Sequence, residues 1–365
     1  MYDLIVIGGG PAGTSAAITL AKAGVSVLLL ERGAFPRHKV CGEFVSAESL
    51  DLLDALLDST HKSLLSQAIR IVETRAYLDG QPIETAIDPA AVSIARLDLD
   101  AALWESAQQC GIDCRQKVTA HSVVGTSPFR VMTSAGDFES RVIVDASGRW
   151  SNLNANRARP ATSTGKWLGI KAHFREPDTR PSADLYFFDG GYCGVQPVSL
   201  KDSAASENRI NACAMVRTDV AGTMQEVFKQ HPQLQKRARK WKPLSDPVST
   251  SPLFFRDPQP VRDGILVAGD AAVFVDPFVG DGISLALRSG ALAAQSLIPF
   301  FHKEISVAEA AESYQRAYLR RLAPVFKASS MIRRMLELPR AVRTPMIYLL
   351  RSAPALSRYL VRRTR

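Results

Sequence analysis

Three glycines and an acid stand at a spacing suited to phosphates and sugars. Gly8, Gly10 and Gly13 form a Gly-x-Gly-x-x-Gly run, and Glu31 lies 18 positions after Gly13. Glycine at 8 permits a sharp turn, glycine at 10 brings backbone against a diphosphate, and glycine at 13 lets a helix pack close to a sheet. A carboxylate about 20 residues on takes ribose hydroxyls. A second group, Arg37 to Glu43, holds three basic side chains (Arg37, His38 and Lys39), the Cys41 thiol and the Glu43 carboxylate within seven positions. Such groups move protons, do thiol chemistry or neutralise an anion. Two more acids, Asp145 and Asp270, sit in small-residue turns.

The elements that must position these groups follow from periodicity. Leu4-Ile5-Val6-Ile7 is an apolar run placed directly before the glycines, and it reads as a buried strand. Thr14 to Gly24 has a helical apolar repeat with a glycine stop, and Ser26 to Leu30 is a second strand ending at Glu31. Strand, glycine turn, helix, strand and acid together make a dinucleotide site; this motif by itself does not separate FAD from NAD. Ala47 to Leu64 reads as one helix, Ile69 to Ile87 as a hairpin turning at Asp79-Gly80, and Val92 to Cys110 as a helix stopped by Gly111. Strands are expected over 118–131 and 138–144, and a polar loop over 152–165. Four strands are read between Leu168 and Val216 and a helix over 220–238, followed by a proline-punctuated return over 243–260. Gly264 to Ala272 is a strand entering a turn, and a second glycine turn, Gly280-Asp281-Gly282, feeds an Ala/Leu helix to about Leu297. That helix N-terminus can aim N–H groups at an anionic centre, with Asp281 as its cap.

Composition bounds the answer. The chain has 365 residues, 46% hydrophobic and 22% charged, as in a globular protein larger than one average domain. Five dispersed cysteines lack metal-ligand spacing and suit a reducing cytoplasm. No metal site is expected. No secretory signal and no run of membrane-spanning length is read; Ile347-Tyr348-Leu349-Leu350 is too short. The net charge of +9 is localised: from His302 onward there are 14 Lys/Arg against 4 Asp/Glu. Basic, apolar pieces broken by Pro339, Pro345 and Pro354 suit an anionic membrane surface or an acidic carrier protein, or equally a solvated helix face. Aromatic interleaving is thin, which excludes nucleic acid as the expected partner. The expected location is cytoplasmic, peripheral to a membrane if the basic segment binds one.

Taken together, Gly8-x-Gly10-x-x-Gly13 with Glu31, Arg96 opening a helix, Asp145-x-x-Gly148, and Gly269-Asp270 with Pro277 downstream resemble the FAD-binding set of the para-hydroxybenzoate-hydroxylase-like flavoproteins. Within that group the chain most resembles the geranylgeranyl reductase family, through Lys39-x-Cys41-Gly42-Glu43, Tyr192-x-Gly194-x-x-Pro197 and Pro277-Phe278-x-Gly280-Asp281-Gly282-Ile283. The resemblance covers roughly residues 1 to 300. It implies an α/β fold: a discontinuous Rossmann-like FAD-binding domain (1–68, 91–155 and 256–300) with an inserted antiparallel β-sheet substrate domain (69–90 and 156–255). A C-terminal basic helical segment (301–365) completes it.

The roles implied by the resemblance are specific. Glu31 would hold the adenosine ribose, with Arg32 beside it. Gly8, Gly10 and Gly13 would form the diphosphate turn, Arg96 would reach the diphosphate, and Asp270 the ribityl chain. Pro277 and Gly280 to Ile283, including Gly282, would run along the isoalloxazine. Cys41 and Glu43 would approach it from the substrate side as catalytic candidates, and Tyr192, Gly194 and Pro197 would contact substrate. Cys41 reads as proton donor, redox thiol or inert packing; Glu43 as general acid, as a solvated surface group or as a salt-bridge partner of Arg37 or Lys39; Cys193 as strand packing or a second cavity thiol. Gly194 stands where the family carries a bulky aromatic, which leaves room for a wider substrate. The widely spaced tryptophans (Trp104, Trp150, Trp167 and Trp241) do not form the Trp-x-Trp-x-Ile-Pro element of tryptophan halogenases.

The leading expectation is FAD-dependent reduction of a carbon–carbon double bond in a lipophilic, isoprenoid or polyene-like substrate. No second Gly-x-Gly-x-x-Gly run exists, so NAD(P)H docking transiently at the flavin, or a partner protein, is the expected reductant. The alternatives are an FAD-dependent monooxygenase acting on an aromatic or polyketide-like ring, and a non-catalytic escort for a lipid-bearing partner.

Overall fold

The computed structural model describes all residues except 79–81, 150–152, 154–165, 201–207, 252, 254–256, 275, 337, 339–340, 343, 346–347, 349–351 and 354–365. The Asp79-Gly80 turn and most of the 152–165 loop lie outside the described residues, as do parts of the 243–260 return and of the C-terminal basic segment.

The chain opens with β1 (Tyr2–Ile7), α1 (Pro11–Lys22) and β2 (Val27–Glu31). Next come β3 (Phe44–Val45), α2 (Leu50–Leu56), α3 (Ser63–Ser66), the long pair β4 (Ile69–Tyr77) and β5 (Pro82–Ser93), and α4 (Arg96–Gln109). The helix expected from Ala47 to Leu64 is broken into a 3-10 turn, α2 and α3, because the chain turns at Leu57, whose ψ of 138° is extended. The helix expected from Val92 starts instead at Arg96: Val92 and Ser93 pair with Val45 and Phe44 as strand. β6 (Asp113–Gln116), β7 (Ala120–Val124), β8 (Phe129–Thr133) and β9 (Gly136–Asp145) follow. Then come β10 (Trp167–Arg175), β11 (Ser182–Phe188), β12 (Gly191–Pro197) and β13 (Arg209–Arg217). The region 220–238 splits into α5 (Met224–Lys229) and α6 (Pro232–Ala238), because Pro232 starts a new helix. The chain closes with β14 (Lys242–Pro243), β15 (Val248–Thr250), β16 (Val261–Arg262), β17 (Ile265–Val267), α7 (Gly282–Phe301), α8 (Val307–Arg321) and α9 (Ala323–Leu336).

Two sheets divide the work. In the first, β17, β9, β1, β2 and β6 run parallel in that spatial order. β1 and β2 are nearly wholly apolar because both their faces are covered. The strand order turns back around β1, so β1, β2, β9 and β17 end at one edge, the crevice where ligands bind in such sheets. The second sheet is built around β10, β13, β12, β11, β4 and β5, antiparallel except for the parallel β11–β4 pair. Its back face packs on α5 and α6 through Ile170, Phe174, Ala212, Met224 and Trp241.

Helix α7 has the length and composition to cross a bilayer, which corrects the expectation that no such run exists. It is 67% buried and lies in the core between α1 and α8. A Cβ on Gly290 would sit 2.0 Å from Ala12 O, so α1 and α7 touch backbone to backbone there.

Candidate functional site

The edge where β1, β2 and β9 end opens into a cavity of about 460 Å³ that continues to the second sheet. Gly8 has φ +110°, and a Cβ there would sit 2.3 Å from Ala146 O, so the turn out of β1 demands glycine. Gly13 lies beneath the turn: its missing Cβ would be 1.8 Å from Gly8 O. Gly10 differs, because a Cβ there meets nothing closer than Lys39 Nζ at 3.6 Å, and that space faces the cavity. This is the cradle a diphosphate requires.

Glu31 ends β2 buried, accepting from Gly9 N at 3.0 Å, Gly33 N at 2.8 Å and Arg37 Nη2 at 2.8 Å. The backbone donors fix the carboxylate at the cavity wall, where Arg32 also stands. Arg96, the first residue of α4, is held by the fully buried Asp100 at 2.7 and 2.8 Å. Lys39 reaches the same carboxylate at 3.4 Å, and burial lowers its pKa. Asp100 thus carries two cations beside the glycine turn, an arrangement matched to an anionic ligand. Lys39 and Asp100 were not predicted as site residues; a cation two positions from Cys41 and an Asp four positions after Arg96 were the available signals.

Farther along, Asp270 faces the cavity and meets Arg149 Nε at 3.4 Å, while Arg149 stacks over Phe274 at 4.4 Å. Pro277 opens a 3-10 turn, Pro277–Val279, which leads into Gly280, Asp281 and α7. Gly280, Gly282 and Ile283 line the cavity. Asp281 precedes α7 but makes no capping hydrogen bond; instead it accepts from Ser46 Oγ at 2.6 Å, and burial raises its pKa to about 6.

The loop from Arg37 to Glu43 crosses between the two sheets. Glu43 is fully buried with φ +61°, a strained conformation for a residue with a side chain. Its Oε1 accepts from Lys171 Nζ at 2.7 Å and from Arg96 N at 2.8 Å, and its Oε2 lies 2.7 Å from His173 Nε2. Lys171 and the His173 contact outweigh burial and hold the carboxyl at about 2. Glu43 is therefore ionised and has no proton to give near neutrality. It also accepts from the first N–H of α4, whose preceding Ala95 has no side chain to cap it.

Cys41 lies on the cavity wall and its thiol contacts both Glu43 N, at 3.3 Å, and Arg96. Asn211 Nδ2 holds its carbonyl at 2.9 Å. Tyr192 also reaches the cavity. Gly194 and Pro197 are not among the described lining residues. Gly194 shares the strand face of Tyr192, but Leu185 Cδ2 lies 3.4 Å from where its Cβ would be, so no room opens there. Pro197, at an odd offset from Tyr192, points the other way. Cys193 likewise faces the back core, and burial pushes its thiol up to about 12. The second cavity thiol is Cys213, on β13. No cluster of metal-ligating residues occurs among the described residues.

The cofactor that these residues fit is FAD, and comparison with known proteins agrees. A family model described as FAD binding domain matches residues 1–325. Digeranylgeranylglycerophospholipid reductase 2 of Methanopyrus kandleri is 24% identical over 89% of this chain and 84% of its own. Tryptophan 2-halogenase of Chondromyces crocatus is 22% identical over 86% of this chain and 64% of its own. The solved structure of a geranylgeranyl bacteriochlorophyll reductase-like protein from Thermoplasma acidophilum superposes with a TM-score of 0.78 at 20% identity, covering 100% of this chain and 95% of that one. A flavin-dependent brominase gives 0.79 at 20% identity, covering 100% and 93%. With its match to the FAD binding domain over residues 1–325, the chain belongs to that FAD-binding family, and it is similar to its geranylgeranyl reductase-like members and to its halogenases alike.

Proposed function

We propose that the protein reduces a carbon–carbon double bond in a lipophilic, isoprenoid or polyene-like substrate. Reduced FAD supplies a hydride when bound. The observation that carries the reading is the far wall of the cavity: Tyr192, Met215, Leu253, Phe274 and Val40 give an apolar surface facing the turn that leads into α7. Such a wall binds an extended hydrocarbon by excluding water and offers little to orient a polar ring. Glu31 would hold the adenosine, and Arg96 and Lys39 the diphosphate. Cys41 sits at the boundary between the cofactor end and the apolar wall. A reductant, NAD(P)H or a protein, would load the flavin by transient docking.

A monooxygenase or halogenase reading draws on the halogenase relative and the brominase-like fold. The two readings separate in one experiment. FAD-loaded protein is reduced anaerobically and mixed with geranylgeraniol in detergent, and flavin absorbance and product mass are followed. Return of oxidised flavin with a product gaining two hydrogens is the expected result. Return only with oxygen, with a product gaining oxygen or halogen, overturns it.

The basic C-terminus is proposed to bring the protein to an anionic surface holding such a substrate. Exposed Leu319 and Met331 beside Arg320, Arg321 and Arg334 support this. Sedimentation with anionic against neutral vesicles tests it, and equal binding to both would overturn it.

A further inference from the structure

Reduction of an alkene needs a proton as well as a hydride. Glu43 is ionised with both oxygens engaged, which removes it as the donor. The Cys41 thiol is already shared between Glu43 N and the Arg96 guanidinium. Tyr192 and Cys213 are held protonated by burial and are very weak acids there. His38 is different. It lines the cavity, it is half-buried, and its ring stands edge to face against His173 with 5.6 Å between centroids. His173 is fully buried and pinned by Glu43 at 2.7 Å. Its Nδ1 is buried with no partner among the described residues.

We propose, resting on the alkene-reductase reading above, that His38 is the residue that protonates the substrate, and that His173, held by Glu43, positions it. One alkene carbon takes the hydride of the reduced cofactor, and the other takes the proton of the His38 imidazolium. The π bond breaks, two C–H bonds form, and His38 is left as neutral imidazole, to be recharged from solvent at its exposed edge. Imidazole suits this step because small environmental changes move its charge across physiological pH.

The groups facing His38 set its acidity. Burial lowers its pKa most, Lys171 and His173 from β10 and Arg209 from β13 lower it further, and Glu43 from its own loop raises it. Near neutrality His38 is therefore mostly the neutral imidazole, and the fraction that solvent protonates is the form that donates, which gives a rate rising toward low pH. When protonated it is a stronger acid than free imidazole.

The test uses the FAD-loaded full chain. His38→Gln keeps the polarity and loses the proton. The expected result is FAD content and thermal midpoint as in the wild type, with alkene-dependent return of oxidised flavin slowed about a hundredfold. The rise in rate toward low pH is lost as well. Imidazole nitrogen NMR provides a readout independent of turnover: His38 titrates below the usual histidine range, and Lys171→Met moves that titration upward. A His38→Gln rate and pH profile within twofold of wild type would overturn the assignment while leaving the reductase reading intact. A His38 titration unmoved by Lys171→Met would also overturn it. A wild-type protein whose reduced flavin no alkene reoxidises would overturn both, and the wild-type arm alone shows which failure has occurred.

Discussion

Lys171 Nζ stands 2.7 Å from Glu43 Oε1, with both side chains essentially removed from solvent. The pair ties β10 of the second sheet to the loop that crosses the FAD site, and the same carboxylate holds the first N–H of α4. The position of Arg96 beside the glycine turn is thereby coupled to the second sheet, which closes the other end of the cavity.

Loss of that carboxylate is expected to be costly. Glu43→Gln leaves Lys171 buried beside a neutral amide, and breaking such a pair costs about 3–5 kcal/mol. Because the folded pKa, about 2, is below the unfolded value near 4.5, the carboxylate's contribution is full above pH 4.5 and fades as pH falls toward 2. Urea unfolding should show a wide gap between wild type and variant at pH 7 and a narrower one at pH 3. A constant gap would refute the assignment.

Asp281 has the opposite sign. Its folded pKa, about 6, is above its unfolded value of 3.8, so stability is lost as pH rises between these values. Asp281→Asn retains an acceptor for Ser46 and removes the charge. The variant is expected to be more stable than wild type by about 2–3 kcal/mol at pH 8 and no more stable at pH 4. Thermal melts at the two pH values check this.

Two glycines of one motif should fail differently. Gly13→Ala places a methyl 1.8 Å from Gly8 O and forces α1 away from the turn, which is expected to cost about 3 kcal/mol or more whether or not FAD is present. Gly10→Ala has room in the protein but fills the cradle. Its stability without cofactor should match wild type, while FAD affinity drops about tenfold or more, some 1.4 kcal/mol. Flavin fluorescence titration combined with melts of the stripped protein separates the two.

Asp100→Asn leaves Arg96 and Lys39 without their shared counter-charge. The stripped protein should lose about 3 kcal/mol. The FAD diphosphate would then take over part of that charge balance, so the rise in melting temperature on adding FAD should exceed that of wild type. An equal or smaller rise would show that these cations do not meet the diphosphate.

The Gly8–Gly13 turn with Glu31 was legible from sequence because all its determinants are local: a strand, a steric demand for missing Cβ atoms, and a helix in register. The second sheet's four central strands were legible for the same reason. Elements failed where tertiary contact overrode local pattern. Val92 and Ser93 read as helix, yet pairing with Val45 and Phe44 keeps them extended. Gly194 read as open space, yet Leu185 from the adjacent strand packs over it.

The sequence by itself determined that the chain builds a dinucleotide site, because phosphate and ribose recognition is written in short-range spacing. Only the tertiary structure decided what the chemical side chains at its other end can do. Glu43 is an acid by type, but Lys171 and His173 lie 128 and 130 positions away, and folding brings them to its two oxygens. That contact takes away its proton at neutral pH, and no local pattern encodes it. His38, unremarkable in its loop, gains a chemical environment only because β10 supplies His173 and Lys171 behind it.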